Sequence, residues 1–233
     1  MHGFDRYIKN MDAFSREEIE RVHNKSVCIV GCGGLGGYVA MALVRFGVLK
    51  ITVVDGDVFS VTNLNRQLFA TEETLGQNKA KVCREELSKV NSDAEVTAIS
   101  EMLTQSNAKQ IFAGHDLIID CLDNIETRYI LCDACRQMQI PFVHGAVGGL
   151  FGQVATVFPE DDTLERIYPK SDSGNSRWQA ENSPGSPVFT PQLVAAIQSS
   201  EAIKFLAGKG SLIRNGLLVI DLISNTFDKV DFK

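Results

Sequence analysis

Gly31-Cys32-Gly33-Gly34-Leu35-Gly36 carries a G-x-G-x-x-G pattern, and Asp55 follows Gly36 by 19 positions. Glycines at that spacing permit a tight turn and let phosphates approach the backbone. A helix starting behind them offers free N–H groups and the positive end of its dipole. A carboxylate closing the next strand binds ribose hydroxyls. The glycines alone are also compatible with a purely structural turn. With an apolar strand before them, a helix after them and Asp55 beyond, they read as a nucleotide site, and NAD, FAD and ATP all remain candidates.

Residues downstream discriminate among these ligands. Asp57 lies two after Asp55, Arg66 lies in Asn63-Leu64-Asn65-Arg66-Gln67, Lys79 in Gly76-Gln77-Asn78-Lys79, and Asp123 precedes Asn124. Taken singly, Arg66 and Lys79 read as solvated helix charges. Taken with strand-end carboxylates, they suit a polyphosphate and a divalent cation, because cations stabilise developing phosphate charge and a carboxylate holds magnesium whose remaining shell is water. Hydride transfer would instead require a group that exchanges a proton with the substrate. His115 and His144 are the candidates, and each reads more simply as a packed or capped histidine.

The elements that must position these groups alternate along the chain. Apolar runs predict strands over 26–30, 51–55, 94–99, 116–120 and 141–146, with helical patterns over 35–46, 76–90, 105–113 and 127–138. That alternation predicts an α/β fold, a doubly wound and mostly parallel Rossmann-like sheet, in which ligands collect outside the carboxyl ends of the strands. Ser15-x-x-Glu18 is a capping-box signature in the polar segment 1–24. After a further strand over 152–158, the stretch 159–190 is polar, holds four prolines and reads as a crossover loop. A helix over 191–206 and strands over 217–221 and 226–231, turning at Ser224-Asn225, complete a C-terminal antiparallel extension. The chain thus divides into a helical start (1–24), a nucleotide-binding core (25–158), the crossover and a C-terminal helix with hairpin (191–233), all within one domain.

The length of 233 residues suffices for a core without staples, and the formal charge of −6 argues against a nucleic-acid surface. Six cysteines form neither a disulfide framework nor a zinc set, because Cys132-x-x-Cys135 has no second pair after it. That pair reads as small apolar residues on one turn of a helix. Neither a leader nor a long apolar run is visible, so the expected setting is the cytoplasm, away from membranes.

These motifs together resemble the MoeB/ThiF/HesA family, bacterial relatives of ubiquitin-activating enzymes. The matching residues are Arg6-Tyr7, Gly31 to Gly36, Asp55-Gly56-Asp57, Asn63-Leu64-Asn65-Arg66-Gln67, Gly76 to Lys79, Asp120-Cys121-Leu122-Asp123-Asn124 and Gly145-Ala146, with a weaker match over Glu201-Ala202-Ile203-Lys204. The resemblance implies an adenylyltransferase that activates the C-terminal glycine of a small ubiquitin-like sulfur carrier ending in Gly-Gly, of molybdopterin or thiamine type, using ATP and Mg2+ and releasing pyrophosphate. By position, Gly31, Gly33, Gly34 and Gly36 would cradle the nucleotide and Asp55 would hold the ribose, with Asp57 beside it. Arg66 and Lys79 would bind phosphates, Asn63 and Gln67 would shape the pocket, and Asp123 would coordinate magnesium; Arg66, Lys79 and Asp123 form the expected catalytic set. A homodimer is also implied.

The chain departs from the family in three respects. Relatives commonly carry two C-x-x-C pairs for zinc and, where they bind the carrier covalently, a crossover cysteine. Segment 159–190 and the tail have none, so neither zinc nor a cysteine relay is expected. Lys9 stands where relatives place an arginine that reaches the partner subunit's ATP site, keeping the charge without the planar fork. Competing readings are a peptide-adenylating enzyme or tRNA-modifying dehydratase of the same superfamily, a non-catalytic nucleotide-binding scaffold, and a NAD-dependent oxidoreductase.

Overall fold

The computed structural model describes residues 3–169 and 185–232. Eight strands form one sheet in the order β3-β2-β1-β4-β5-β6-β7-β8. The parallel half comprises β1 (Ser26–Val30), β2 (Lys50–Val54), β3 (Glu95–Ile99), β4 (Leu117–Asp120) and β5 (Phe142–Gly148). β6 (Phe151–Val157), β7 (Gly216–Asp221) and β8 (Thr226–Asp231) continue the same sheet with antiparallel pairing. The expected antiparallel extension is therefore continuous with the parallel half.

Both faces are covered, as the unbroken apolar runs of β1 and β4 require. Val27, Ile29, Leu117 and Ile119 face a core that includes α2 (Gly36–Phe46), α3 (Lys79–Val90) and the long α7 (Phe189–Ala207). Cys28, Val30 and Ile118 face the other core, with α4 (Ala108–Phe112), α5 (Ile125–Met138) and α6 (Thr163–Ile167). α1 (Arg16–His23) opens with the capping box read from Ser15 and Glu18, and it buries Ile19 and Val22. The final hairpin turns where expected: Asp221 Oδ1 accepts from the Ile223 and Ser224 N–H groups, and Asn225 adopts φ 57°.

The crossover differs from a plain loop. α6 lies within it, with Leu164 fully buried and Tyr168 close behind, and α7 starts two residues earlier than expected. The only apolar residues there at helical spacing are Leu164, Ile167 and Tyr168, too short a run for periodicity to register. Residues 170–184 of the expected loop lie outside the described residues. Cys132 and Cys135 are buried on α5, as their apolar setting implied.

Strand order reverses between β1, whose other neighbour is β2, and β4, which leads on to β5. The loops leaving the carboxyl ends of β1 and β4 diverge there and leave a crevice between them. These loops carry the glycines and Asp123.

Candidate active site

The glycine loop is fixed by backbone contacts that exclude side chains. Gly31 adopts φ 94°, and a Cβ on it would lie 2.6 Å from the Cys121 carbonyl oxygen, at the end of β4. A Cβ on Gly36 would lie 1.7 Å from the Gly31 carbonyl oxygen. The loop therefore closes back on itself as α2 begins, and Gly33, Gly34 and Leu35 just before the helix line the crevice.

Asp55, just beyond β2, braces this loop. Its Oδ2 accepts from the Cys32 N–H at 2.7 Å and its Oδ1 from the Asp57 N–H at 2.9 Å. Burial raises the Asp55 carboxyl above its ordinary value despite these two donors. Asn78 caps α3 by accepting from the Lys81 N–H, and its Nδ2 donates to the carbonyls of Asp55 and Asp57 at 3.0 Å each. The cap thereby places Lys79, the first residue of α3, where its Nζ reaches Asp57 Oδ2 at 3.2 Å.

The segment between β2 and α3 carries the other cation. Asn63 is buried, and its Oδ1 accepts from the Ser60 N–H at 3.0 Å, so its side chain shapes the turn behind Arg66. Arg66 Nη1 donates to the Thr62 carbonyl at 3.0 Å and to Asn65 Oδ1 at 2.8 Å. Asn65 in turn donates to the Ser186 carbonyl at 3.3 Å, linking this segment to the chain entering α7. Gln67 is buried beside Gly33, and its Oε1 has no hydrogen-bond partner among the described residues.

These groups line one cavity of about 690 Å3. Gly31, Gly33, Gly34, Asp55 and Asp57 contribute to its wall, as do Arg66, Gln67, Lys79 and Asp123. Gly36 and Asn63 stand behind that wall, and Lys9 lies exposed on the N-terminal 3-10 turn, outside the lining. The lining also holds Met102 and Leu103, which follow β3, and Arg128 from α5, none of them among the residues singled out from sequence. Met102 and Leu103 belong to a polar-flanked pair with no periodic signal. Arg128 gave no local signal either, because its partners Asp120, Gly145 and Tyr168 lie on other elements.

Comparison with known proteins places the whole arrangement. The profile of the ThiF family matches residues 4–233. This chain belongs to the ThiF family. A sulfur carrier protein adenylyltransferase from Thermus thermophilus is 34% identical to this ThiF-family chain, covering 97% of it and 86% of the relative. The SAMP-activating enzyme E1 of Haloferax volcanii is 32% identical over 98% of this chain and 85% of the relative. The chain spans only 48% of a third relative, the adenylyltransferase and sulfurtransferase MOCS3-1 of Zea mays, at 30% identity. Among solved structures, E. coli MccB superposes with a TM-score of 0.85 at 20% identity, over 99% of this chain and 70% of MccB. The match to solved structures carries the fold, and the sequence relatives carry the class: this ThiF-family chain is an enzyme of the adenylyltransferase type.

Behind the cavity, the ThiF-family chain buries a charged cluster at the end of β4. Asp120, fully buried, lies 2.7 Å from His144 Nδ1 on β5 and 3.3 Å from Arg128 Nε. Although desolvation pushes the other way, the Arg128 guanidinium and the bonds from His144 and the Leu122 N–H hold the Asp120 carboxyl below its usual range. Burial lowers His144, which fits a neutral ring with its proton on Nδ1 facing Asp120 and Nε2 accepting from Gln153 Nε2 at 3.2 Å. From α7, Gln198 Nε2 donates to the carbonyls of Asp120 and Val143 at 2.7 and 3.1 Å, bridging β4 and β5. Neither His115 nor His144 lines the cavity; His115 packs through Nε2 against Thr52 Oγ1 at 2.9 Å.

The cysteines are equally withdrawn. All six are buried as free thiols. A hydrogen bond with Cys83, together with burial, pushes the Cys32 thiol well up, and burial does the same to Cys121. Such thiols are poor nucleophiles.

Proposed function

We propose that this adenylyltransferase activates the C-terminal glycine carboxylate of a small ubiquitin-like sulfur carrier protein ending in Gly-Gly, with ATP as the nucleotide and pyrophosphate as the leaving group. The observation that carries the reading is the convergence of Arg66, Lys79 and Asp123 on one cavity beside the glycine loop and Asp55. In the reaction, a carboxylate oxygen of the carrier bonds to the α-phosphorus as the bond to the pyrophosphate oxygen breaks. The nucleophile is already ionised, so the site has to align it and stabilise charge, with no general base required. The placement of His115 and His144 away from the cavity agrees with this.

The donor set fits magnesium. Asp123 is an exposed carboxylate on the cavity wall. Among the described residues no group of three or more His, Cys, Asp or Glu side chains could hold a metal alone. The carboxylate of Asp123 on the wall is compatible with Mg2+, which takes one or two carboxylates, substrate phosphates and water. Asp123 would hold the ion there, and the ion would supply charge neutralisation to phosphate oxygens. Arg66 and Lys79 serve the same charge from the protein side, and the orphaned Oε1 of Gln67 offers an acceptor to a ribose or water hydrogen.

The burial of every cysteine supports activation without a covalent relay in this chain, leaving sulfur transfer to another protein. The reading extends to a homodimer in which Lys9, outside its own cavity, serves a partner's site, and to a cytoplasmic setting. Among the described residues no helix is long and apolar enough to cross a membrane. Light scattering on the purified protein tests the dimer.

The activity is tested by pyrophosphate exchange. The protein is mixed with Mg-ATP, radiolabelled pyrophosphate and a candidate carrier ending in Gly-Gly, beside an Asp123→Ala variant. Label entering ATP only with carrier, and lost in the variant, is the expected result. Exchange driven instead by a short peptide would shift the substrate to a peptide, and preferential binding of NAD over ATP would overturn the reading.

A further inference from the structure

The Asp123 loop is held from behind by one side chain. Arg128 is 5% exposed, and its donors point inward to four partners. Nε faces Asp120 Oδ2 at 3.3 Å, and Nη1 donates to the Tyr168 hydroxyl at 2.9 Å. Nη2 donates to the Leu122 carbonyl and, at 3.2 Å, to the Gly145 carbonyl. Leu122 immediately precedes Asp123, and its own N–H donates to Asp120 Oδ1 at 3.0 Å. The Leu122 peptide is thus gripped at both ends by an ion pair. On the far side of Asp123, Asn124 is fixed as the cap of α5, its Oδ1 accepting from the Thr127 N–H at 2.9 Å.

The same guanidinium meets the start of the crossover. Tyr168 places its ring 5.4 Å from the Arg128 guanidinium carbon, accepts from Gln153 Nε2 at 2.6 Å, and gives its backbone carbonyl to the Tyr129 hydroxyl. The chain just before residues 170–184 therefore docks on the group that sets the Asp123 backbone. A planar fork with several donors can serve two carbonyls, a phenol and a carboxylate together, and a lysine ammonium cannot reach them all.

We propose that Arg128 is a positioning residue: through the Leu122 and Gly145 carbonyls it holds the Asp123 carboxylate where a magnesium–nucleotide complex meets it, and Tyr168 ties that position to the crossover. This rests on the proposed Mg-ATP chemistry. It assigns Arg128 no contact with substrate: both Nη atoms donate within the protein, and Nε faces Asp120 as an ion pair.

The test compares Arg128→Lys and Tyr168→Phe with the parent in two assays. Calorimetry measures ATP affinity without metal and then with a Mg2+ titration; pyrophosphate exchange measures kcat, KM for ATP and the Mg2+ half-saturation. Metal-free ATP affinity and KM should stay within about threefold of the parent. The Mg2+ half-saturation should rise about tenfold in Arg128→Lys and less in Tyr168→Phe, with kcat falling in step, the scale typical of groups that orient a metal ligand. Parent-like Mg2+ dependence in both variants overturns the proposal. So does loss of metal-free ATP affinity in parallel with melting temperature, which marks a merely structural role. If Arg128→Lys fails to fold, Tyr168→Phe decides, since it removes one hydroxyl and no charge. If the parent shows no exchange with any carrier, the functional reading fails, while the Mg2+ titration of ATP binding still decides the role of Arg128.

Discussion

Replacing Gly36 by alanine should weaken the fold, whereas the same change at Gly33 should weaken only ligand binding. At Gly36 the new Cβ would sit 1.7 Å from the Gly31 carbonyl oxygen and 2.8 Å from its carbon. Gly31 has little room to yield, because its own position is bounded by the Cys121 carbonyl, 2.6 Å from where its Cβ would stand. Overpacking against backbone costs about 3 kcal/mol at the upper end of the usual range. Exchanging glycine for alanine returns about 0.5–1 kcal/mol of chain entropy, leaving a net loss of about 2 kcal/mol. For a chain of this size that lowers the melting temperature by about 4–8 °C. At Gly33 the Cβ would meet Gln67 Nε2 at 3.4 Å, the far end of a flexible side chain, so melting should shift by less than about 2 °C. Gly33 lines the cavity, and a methyl group there stands between the backbone and the phosphates; ATP affinity should fall at least about tenfold. Thermal melts followed by circular dichroism, with calorimetric titration of ATP, separate the two effects. Equal melting of both variants, or unaltered ATP affinity in Gly33→Ala, would refute the assignment of one glycine to the fold and the other to the ligand.

Three further outcomes follow from the same geometry. Lys79→Met should cut pyrophosphate exchange about 100- to 1,000-fold, the usual cost of losing one charge-stabilising group. Its melting temperature should hardly move, because Asp57, the partner left behind, is 58% exposed and stays hydrated. Titration with a thiol reagent at pH 8 should find no fast-reacting cysteine in the native protein and all six after denaturation, since the six are buried and the Cys132 thiol is pushed up to about 12; a rapidly labelled native thiol whose modification stops exchange would reinstate a cysteine relay. Stability should be greatest above about pH 6.5 and decline below it. Burial lowers His23, His115 and His144, so the unfolded chain takes up protons there that the folded chain refuses. Asp120, also lowered, adds a second loss as pH falls through its depressed value, below about 4, whereas the raised Asp55 favours the fold in acid and opposes this trend. Urea midpoints unchanged between pH 7.5 and pH 5 would contradict the assignment of buried neutral histidines.

The residues proposed to meet a nucleotide were readable because the proposed chemistry constrains both type and spacing. Gly31, Gly33, Asp55, Lys79 and Asp123 each follow a strand end or open a helix, Arg66 lies in the connection from β2 to α3, and the sheet order brings these together. Asn63 shows the limit of that reading: it lies inside the most distinctive motif, yet its side chain is turned to the Ser60 N–H and shapes the turn. The cluster of Asp120, Arg128, His144, Gln153 and Tyr168 stayed hidden for a different reason. Its members come from β4, α5, β5, β6 and the end of α6, and no local pattern records that long-range pairing. α6 was missed because five residues offer too little periodicity to outweigh the prolines and polar residues around them.

The Gln198 bridge has a consequence for the order in which the protein becomes competent. Its amide ties the carbonyls of Asp120 and Val143 from α7, 75 positions after Asp123. A nascent polypeptide that has just released Asp123 from the ribosome already holds the glycine loop, Asp55, Arg66 and Lys79, but nothing yet clasps β4 to β5 from above. Synthesis at about 5–20 residues per second separates the emergence of Asp123 from that of Gln198 by about 4–15 seconds. During that interval the growing chain holds the residues proposed to meet the nucleotide without the Gln198 clasp. The clasp between β4 and β5 therefore forms only once α7 has emerged, and it should be the last of these contacts to be made.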